Sequence, residues 1–129
     1  MTKEPISTDR APAAAGPYNQ AIVAGSTVYC AGQLGFDPAT GELADGIEAQ
    51  TERVLANLGA VLEAAGASLA DVVKTTCFLG NINDFAAFNE VYKRIVPQPY
   101  PARSTFQVGA LPRSALVEIE AIAVRPSGS

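Results

Sequence analysis

Two short apolar stretches open the regular part of the chain, residues 20–24 and 27–31, and Gly25 and Ser26 separate them. A glycine followed by a serine between two such stretches is typical of a two-residue type II′ turn, so we predict an antiparallel hairpin. Runs rich in β-branched and apolar residues indicate further strands. These strands are predicted at 72–79, at about 104–108 and at 116–124.

Helical spacing of apolar residues occurs in two places between these strands. Asp45 and Glu48 have the spacing of a capping box, and Gly66 is a typical stop signal for the helix between them. Its apolar stripe is Val54, Leu55, Leu58, Val61, Leu62 and Ala65. A second helix is predicted with Asn83 as its N-cap. Its stripe is Phe85, Phe88, Val91, Tyr92 and Ile95.

The predicted order is β-β-α-β-α-β-β, which favours an α+β fold with a single mixed sheet and two helices packed on one face. We interpret residues 1–129 as a single domain with an ordered core at about 8–125, and expect the first ten residues and the tail 126–129 to be loose. The last strand carries apolar side chains on both faces. Because two helices cover one face only, we predict that self-association buries the other.

Composition narrows the possible chemistry. The chain has 129 residues, 48% of them apolar, and 13 acids against 9 bases give a net charge of −4, which disfavours nucleic acid as a partner. Histidine is absent, which excludes Ser-His-Asp and Cys-His catalysis and any histidine-containing metal site. Two cysteines, Cys30 and Cys77, are too few for a four-thiolate site, and we predict no metal and inert core thiols.

The uncharged stretch 11–36 invites a membrane interpretation, but prolines and glycines interrupt it before any run reaches the roughly 20 apolar residues of a spanning helix. Pro12 and Pro17 also break the only candidate for an export signal. We therefore expect no membrane association and a cytoplasmic protein.

Carboxylates and arginines are the remaining candidates for chemistry. Glu118 and Glu120 share one face of the last strand, between Leu116 and Ile122, where an unpaired carboxylate has a raised pKa. The alternative is an edge strand whose two acids face solvent. Arg103 lies in an extended Pro-Ala-Arg-Ser segment and is suited to clamp a small carboxylate or phosphate; the alternative is a structural salt bridge to Glu118 or Glu120.

Two smaller signals lie near the first strands. Tyr18 follows the Gly16-Pro17 turn, where a phenol can stack on a substrate or simply pack. Gly32 has no side chain, so it allows a ligand to approach the backbone closely; the alternative is a turn that ends the strand.

Several segments together resemble the RidA (YjgF) family of enamine and imine deaminases, in the order of that family and over residues 8–125. They are 13–18, 31–33, 73–76, 83–85, 88–92, 101–105 and 117–121. The pairing of Pro-Ala-Arg-Ser-Thr with Val-Glu-Ile-Glu-Ala is the most specific part of the resemblance. It implies a chorismate-mutase-like homotrimer with clefts between neighbouring subunits. It also implies cofactor-free hydrolysis of 2-imino and 2-enamino acids, such as iminopropanoate and iminobutanoate, to 2-oxo acids and ammonia.

The resemblance also implies roles for individual residues. Arg103 matches the arginine that holds the substrate carboxylate, and Glu118 matches the glutamate that positions the attacking water. The matched substrate-binding positions are Tyr18, Gly32, Phe88, Asn89 and Thr105, whereas Glu120 matches a structural position. Ala31 departs from the serine that many members carry, which removes a possible hydrogen bond to ligand or water.

Two other functions stay open at this point. A carboxylate clamp also suits a non-catalytic sensor of 2-oxo acids, and the same clefts or an apolar surface would suit a holdase-like chaperone. A ribonuclease role, which has been attached to relatives, is disfavoured by the acidic charge and the absence of histidine.

Overall fold

A computed structural model describes residues 2–126 of the chain. The strands are β1 (Lys3–Ile6), β2 (Ala21–Ala24), β3 (Thr27–Leu34), β4 (Val72–Leu79), β5 (Ala102–Gln107) and β6 (Val117–Val124). The helices are α1 (Ile47–Ala64) and α2 (Phe85–Ile95), with short 3₁₀ turns at Leu69–Asp71, Ile82–Asp84 and Pro112–Ser114. Within residues 2–126 the strands form one sheet in the order β1-β2-β3-β6-β4-β5, in which only β4 and β5 are parallel neighbours. The predicted α+β class with a mixed sheet is confirmed.

The first hairpin has the predicted turn. Ala24 pairs with Thr27, so Gly25 and Ser26 form a two-residue connection. Gly25 has a φ of 64°, whereas Ser26 keeps a negative φ. Positive φ at the first central residue alone defines the type II′ turn.

The expectation of a loose N-terminus is wrong for Lys3–Ile6. This segment pairs antiparallel with β2, from Lys3 opposite Ala24 to Ile6 opposite Ala21, and Ile6 is buried. A four-residue strand with one buried side chain leaves almost no pattern in a sequence, which explains why it was not predicted. In the tail, residues 127–129 lie outside the described part of the chain.

Neither predicted helix cap forms. At α1 the N-cap is Gly46, with a φ of 89°, and no side chain caps the helix. The helix begins one residue later than a cap at Asp45 requires, so the predicted capping box with Glu48 is wrong. At α2 the N-cap is Asp84, and the prediction of Asn83 is wrong as well.

A different asparagine caps the turn before α2. The side chain of Asn81 accepts a hydrogen bond from the backbone N–H of Asn83 at 2.9 Å, at the start of the 3₁₀ turn. That turn leads directly into α2, so the capping asparagine lies two residues before the predicted one.

The helices bury one face of the sheet. The predicted α1 stripe is buried in full, and in α2 the residues Phe88, Val91 and Tyr92 are buried while Phe85 is exposed. In β6, alternate side chains point under the helices: Val117, Ile119, Ala121 and Ala123.

No helix of residues 2–126 covers the opposite face of the sheet, which we call the open face. Glu118, Glu120, Ile122 and Val124 of β6 point to it. Large apolar side chains are exposed there, namely Tyr29, Phe106 and Val124. The predicted uncovered face is therefore present in the single chain.

Candidate active site

Arg103 projects from β5 on the helix side of the sheet. In the parallel register it lies opposite Thr75, whose side chain is buried beneath the helices. Its guanidinium carbon is 4.7 Å from the ring centroid of Tyr92, 5.5 Å from that of Phe88 and 5.6 Å from that of Phe85. These are cation–π distances, and we call the three rings the aromatic cradle.

The aromatic cradle takes the place of a carboxylate partner. Within residues 2–126 the ion pairs are Arg10–Glu63, Arg53–Asp37 and Arg94–Glu52, and none includes Arg103. The alternative of a structural salt bridge from Arg103 to Glu118 or Glu120 is therefore wrong for the single chain. A guanidinium held by ring faces keeps its N–H donors for another acceptor.

A buried hydrogen bond orients the ring beneath Arg103. The hydroxyl groups of Tyr92 and Thr75 lie 2.7 Å apart, and both side chains are buried. Burial raises the pKa of Tyr92 above its usual value, so the phenol stays neutral. The cradle is thus fixed from below by the sheet.

Three further predicted residues lie near Arg103, and they differ in how far they are buried. Asn89 is half-buried and lines, with Arg103, Tyr92 and Tyr100, a cavity of about 280 Å³, the Arg103 cavity. Phe88 is fully buried under the guanidinium, so in the single chain it supports Arg103 and does not face a cleft. Its assignment as a residue that lines the substrate cleft between subunits stays a prediction. Thr105 is half-buried on the same strand, opposite Cys77.

Glu118 lies on the open face, directly over Gly32. The pairing of β3 with β6 shifts register between Cys30 and Gln33, which places Gly32 in a bulge. A Cβ built on Gly32 would lie 2.9 Å from the carboxyl carbon of Glu118 and would overlap its Oε2. Only glycine permits this approach, so Gly32 is required here for space and not for a turn.

A second cavity, of about 630 Å³, contains Glu118, and we call it the Glu118 cavity. Its lining includes Tyr18, Ala31, Gly32, Arg113 and Glu118. Tyr18 is half-exposed at its rim, and its hydroxyl accepts a hydrogen bond from the N–H of Ala15 at 3.3 Å. The sequence candidates Tyr18, Gly32 and Glu118 are thus brought together in one protomer.

The environment of Glu118 raises the pKa of its carboxyl group. Burial is the larger cause of its raised pKa, and the neighbouring charge of Glu120 adds to it. The alternative of an edge strand is wrong, because β6 lies between β3 and β4. Glu120 is exposed two residues further along the same face.

Arg103 and Glu118 do not meet within one chain. The partners of Arg103 in register, Thr75 and then Ala121, are buried under the helices, whereas Glu118 pairs with Phe78 and faces the other way. The single chain therefore holds Arg103 and Glu118 in two separate cavities on opposite faces of its sheet. One carries the cation and the other the carboxylate.

Two buried amides of α1 hold the backbone around the Glu118 cavity. Asn57 donates hydrogen bonds to the carbonyls of Leu34 at 3.0 Å and Phe36 at 2.9 Å, beyond the end of β3. Gln50 accepts one from the N–H of Leu116 at 2.8 Å, just before β6. Sequence reasoning missed both, although a polar residue within an apolar helical stripe is a usable signal for such a role.

Arg113 is a third residue that sequence reasoning missed. It adopts left-handed backbone geometry, with φ 54° and ψ 32°, and Ser114 follows with a φ of 60°. Its guanidinium carbon lies 4.6 Å from the ring centroid of Phe36, and Nη1 donates to the carbonyl of Gly41 at 3.3 Å. Pro112 before it indicates a turn, but nothing in the sequence reveals the unusual backbone.

The thiols lie in the core as predicted. Cys30 and Cys77 are both buried, and burial raises the pKa of Cys30 to about 12 and that of Cys77 to about 11. A thiol that stays protonated at neutral pH is a poor nucleophile.

Residues 8–125 match the family described as Endoribonuclease L-PSP. A "2-iminobutanoate/2-iminopropanoate deaminase" from Capra hircus is 48% identical over 126 residues, which are 97% of this chain and 92% of the goat protein. The chain belongs to the RidA/YjgF family. The resemblance seen in the sequence is confirmed.

Two other relatives add detail. "Reactive Intermediate Deaminase A, chloroplastic" from Arabidopsis thaliana is 52% identical over 124 residues, which are 95% of this chain and 66% of the plant protein. A crystal structure of E. coli TdcF with bound serine has a TM-score of 0.93 and 45% identity, and the match covers 96% of this chain and 100% of that one. The family fold is thus shared at nearly full length.

The location of this RidA/YjgF protein in the cell stays a prediction. Within residues 2–126 no helix has both the length and the apolar character that crossing a bilayer requires. The Arabidopsis relative is named chloroplastic, so membership of the family does not settle the compartment.

Proposed function

We propose that this protein hydrolyses reactive 2-imino and 2-enamino acids, such as iminopropanoate and iminobutanoate, to 2-oxo acids and ammonia without a cofactor. The observation that carries the proposal is the Arg103 guanidinium, which is held by the aromatic cradle and has no carboxylate partner among residues 2–126. Such a cation is suited to bind the substrate carboxylate through two parallel hydrogen bonds. The names of the goat and Arabidopsis relatives support this chemistry.

The complete site requires more than one chain. Arg103 and Glu118 point to opposite faces of the sheet, and the open face exposes apolar side chains. We propose a homotrimer, the number that the family resemblance implies, in which the Arg103 cavity of one protomer faces the Glu118 cavity of a neighbour. Each of three clefts would then contain one arginine and one glutamate from different copies.

The chemistry of the cleft uses water as the only co-substrate. The protonated imine is already electrophilic at C2, so the protein needs to hold it and to place a water molecule. Glu118 accepts a proton as the water oxygen bonds to C2, and the resulting amino alcohol receives that proton on nitrogen. The C–N bond then breaks, the hydroxyl proton passes to the Glu118 carboxylate as the C–O bond becomes the 2-oxo group, and the released ammonia takes that proton and leaves as ammonium.

The other candidates have supporting roles in this proposal. Tyr18 closes the rim, the backbone amides near Gly32 and Thr105 contact the ligand, and Asn89 lines the opposite wall. Phe88 acts from beneath Arg103. Ala31 lies in the β3 bulge beside Gly32 and presents no hydroxyl to the cleft.

Complementation between two inactive variants tests the proposal. A dehydratase supplies iminobutanoate, and formation of 2-oxobutanoate is followed with Arg103→Ala, with Glu118→Gln and with the two co-refolded at equal ratio. Each variant alone should lose acceleration, whereas random mixing should restore about one quarter of the clefts, because half of the copies keep each residue. Arg10→Ala, which removes an exposed ion pair with Glu63, is the matched control.

Other outcomes would contradict specific parts of the proposal. No recovery on mixing would refute a cleft shared by Arg103 and Glu118 of different copies, and full activity of Arg103→Ala would refute the role of Arg103 in binding the carboxylate. A monodisperse monomer in light scattering would rule out the shared cleft.

A non-catalytic sensor of 2-oxo acids is the second candidate, since the same free guanidinium suits a 2-oxo acid carboxylate. Calorimetry separates the two functions: binding of 2-oxobutanoate without acceleration of imine hydrolysis selects the sensor. A holdase-like chaperone would instead use the exposed apolar side chains of the open face, and would suppress aggregation of an unfolded client without either activity.

A further inference from the structure

We propose that Arg113 forms an anion-binding subsite in the Glu118 cavity and extends the substrates to 2-imino acids with a second, side-chain carboxylate. This inference rests on the proposed deaminase function and names an additional substrate class for the same site. It concerns a residue on the Glu118 side of the cleft, whereas Arg103 lies on the other.

The backbone at Arg113 is unusual for its residue type. Arg113 and Ser114 have φ values of 54° and 60°, a region that residues other than glycine seldom adopt. Two consecutive residues of this kind cost free energy, and such strain is concentrated at functional sites. This conformation places the Arg113 side chain against the loop after β3, instead of continuing the 3₁₀ turn.

Arg113 is exposed at the edge of the Glu118 cavity, and two contacts hold its guanidinium. It stacks on Phe36 at 4.6 Å and donates one hydrogen bond, from Nη1 to the carbonyl of Gly41. An arginine has five N–H donors, so donors remain after this contact. None of the ion pairs within the described range 2–126 includes Arg113.

The carboxylates that share this cavity do not neutralise Arg113. Asp37 pairs with Arg53 at 3.9 Å, and its Oδ1 accepts hydrogen bonds from the N–H groups of Ala39 and Thr40. Glu118 lies against Gly32, and within residues 2–126 it forms no ion pair with Arg113. Arg113 is thus a preorganised cation in the cavity that holds the proposed water-positioning glutamate, and a dicarboxylic substrate offers it an anion.

The test compares two imines in one assay. An amino acid oxidase generates 2-iminoglutarate or 2-iminobutanoate, and kcat/KM is measured from the 2-oxo acid formed. The variants are Arg113→Asn, which tolerates a positive φ, and Arg113→Lys, which keeps the charge. Arg10→Asn is the matched control. We expect Arg113→Asn to lower kcat/KM for 2-iminoglutarate at least tenfold and to change that for 2-iminobutanoate less than twofold, with Arg113→Lys in between.

Two results would overturn the subsite. One is a wild-type protein that accelerates hydrolysis of 2-iminobutanoate but not of 2-iminoglutarate, and the other is an equal loss on both imines in Arg113→Asn. If wild type accelerates neither, the deaminase proposal fails instead. Calorimetry then decides the subsite alone: Arg113-dependent binding of 2-oxoglutarate over 2-oxobutanoate supports it, and equal binding refutes it.

Discussion

Replacing Gly32 by alanine should separate activity from stability. The added methyl group would lie 2.9 Å from the carboxyl carbon and 3.1 Å from Cγ of Glu118. Carbon atoms prefer separations of about 3.5–4.0 Å, and the methyl group would also overlap Oε2, so the glutamate carboxylate must move by about 1 Å. The group that yields is the end of a flexible side chain, and the backbone at Gly32 does not have a positive φ that alanine would strain.

The magnitudes follow from these contacts. A displacement of up to about 1 Å in a reacting group costs up to about 100-fold in rate, or about 2.7 kcal/mol in transition-state stabilisation. The free energy of unfolding should change by less than about 1 kcal/mol, because the loss of glycine flexibility in the unfolded chain offsets the small strain. We therefore expect kcat/KM for iminobutanoate to fall about 10- to 100-fold in a protein of nearly wild-type stability.

Gly109→Ala is the matched control. Gly109 has no atoms within 4 Å of a built Cβ and no positive φ, so the same substitution there should leave both quantities unchanged. Chemical denaturation and the coupled deamination assay measure the two effects. Activity of Gly32→Ala within twofold of wild type would refute the role of the Glu118 position, and a loss of more than about 2 kcal/mol in stability would refute the steric reasoning.

Two further predictions concern the neighbouring carboxylate and the support of Arg103. Glu120→Gln removes a like charge and lowers the pKa of Glu118, so the pH at which kcat/KM falls on the acidic side should decrease. A pH profile in which this fall occurs at the same or a higher pH contradicts the prediction. Thr75→Val and Tyr92→Phe should each lower the free energy of unfolding by about 1–2 kcal/mol, and the double variant by about as much as one of them. Additive losses in urea denaturation would show that the 2.7 Å hydrogen bond does not couple the two residues.

The positions of the helices were predictable because buried apolar residues recur along them with the spacing of a helical turn. All six residues of the α1 stripe are buried, since each turn of the helix presents the same face to the sheet. The caps were not predictable in the same way. Asp45 has the right side chain, but the φ of 89° at Gly46 starts the helix one residue later, and backbone conformation of this kind leaves no mark on the spacing.

For the site, the identity of the residues was predictable from the sequence, but their placement in the fold was not. Arg103 and Glu118 stand out by residue type and by resemblance to the family, whereas their placement depends on strand register. The parallel pairing of β4 with β5 sets Arg103 opposite buried Thr75, and β6 enters the middle of the sheet from the end of the chain. Such long-range pairing is a property of the whole sheet and cannot be read from a local segment.

The aromatic cradle beneath Arg103 has a consequence for acid tolerance. An arginine anchored by a carboxylate would lose its anchor when that acid is protonated, but ring faces have no proton to gain. Tyr92 itself stays neutral, because burial raises the pKa of its phenol. Capture of an anion by Arg103 should therefore be nearly constant from weakly acidic to weakly alkaline medium, and any pH optimum of the protein would originate on the glutamate side of its sheet.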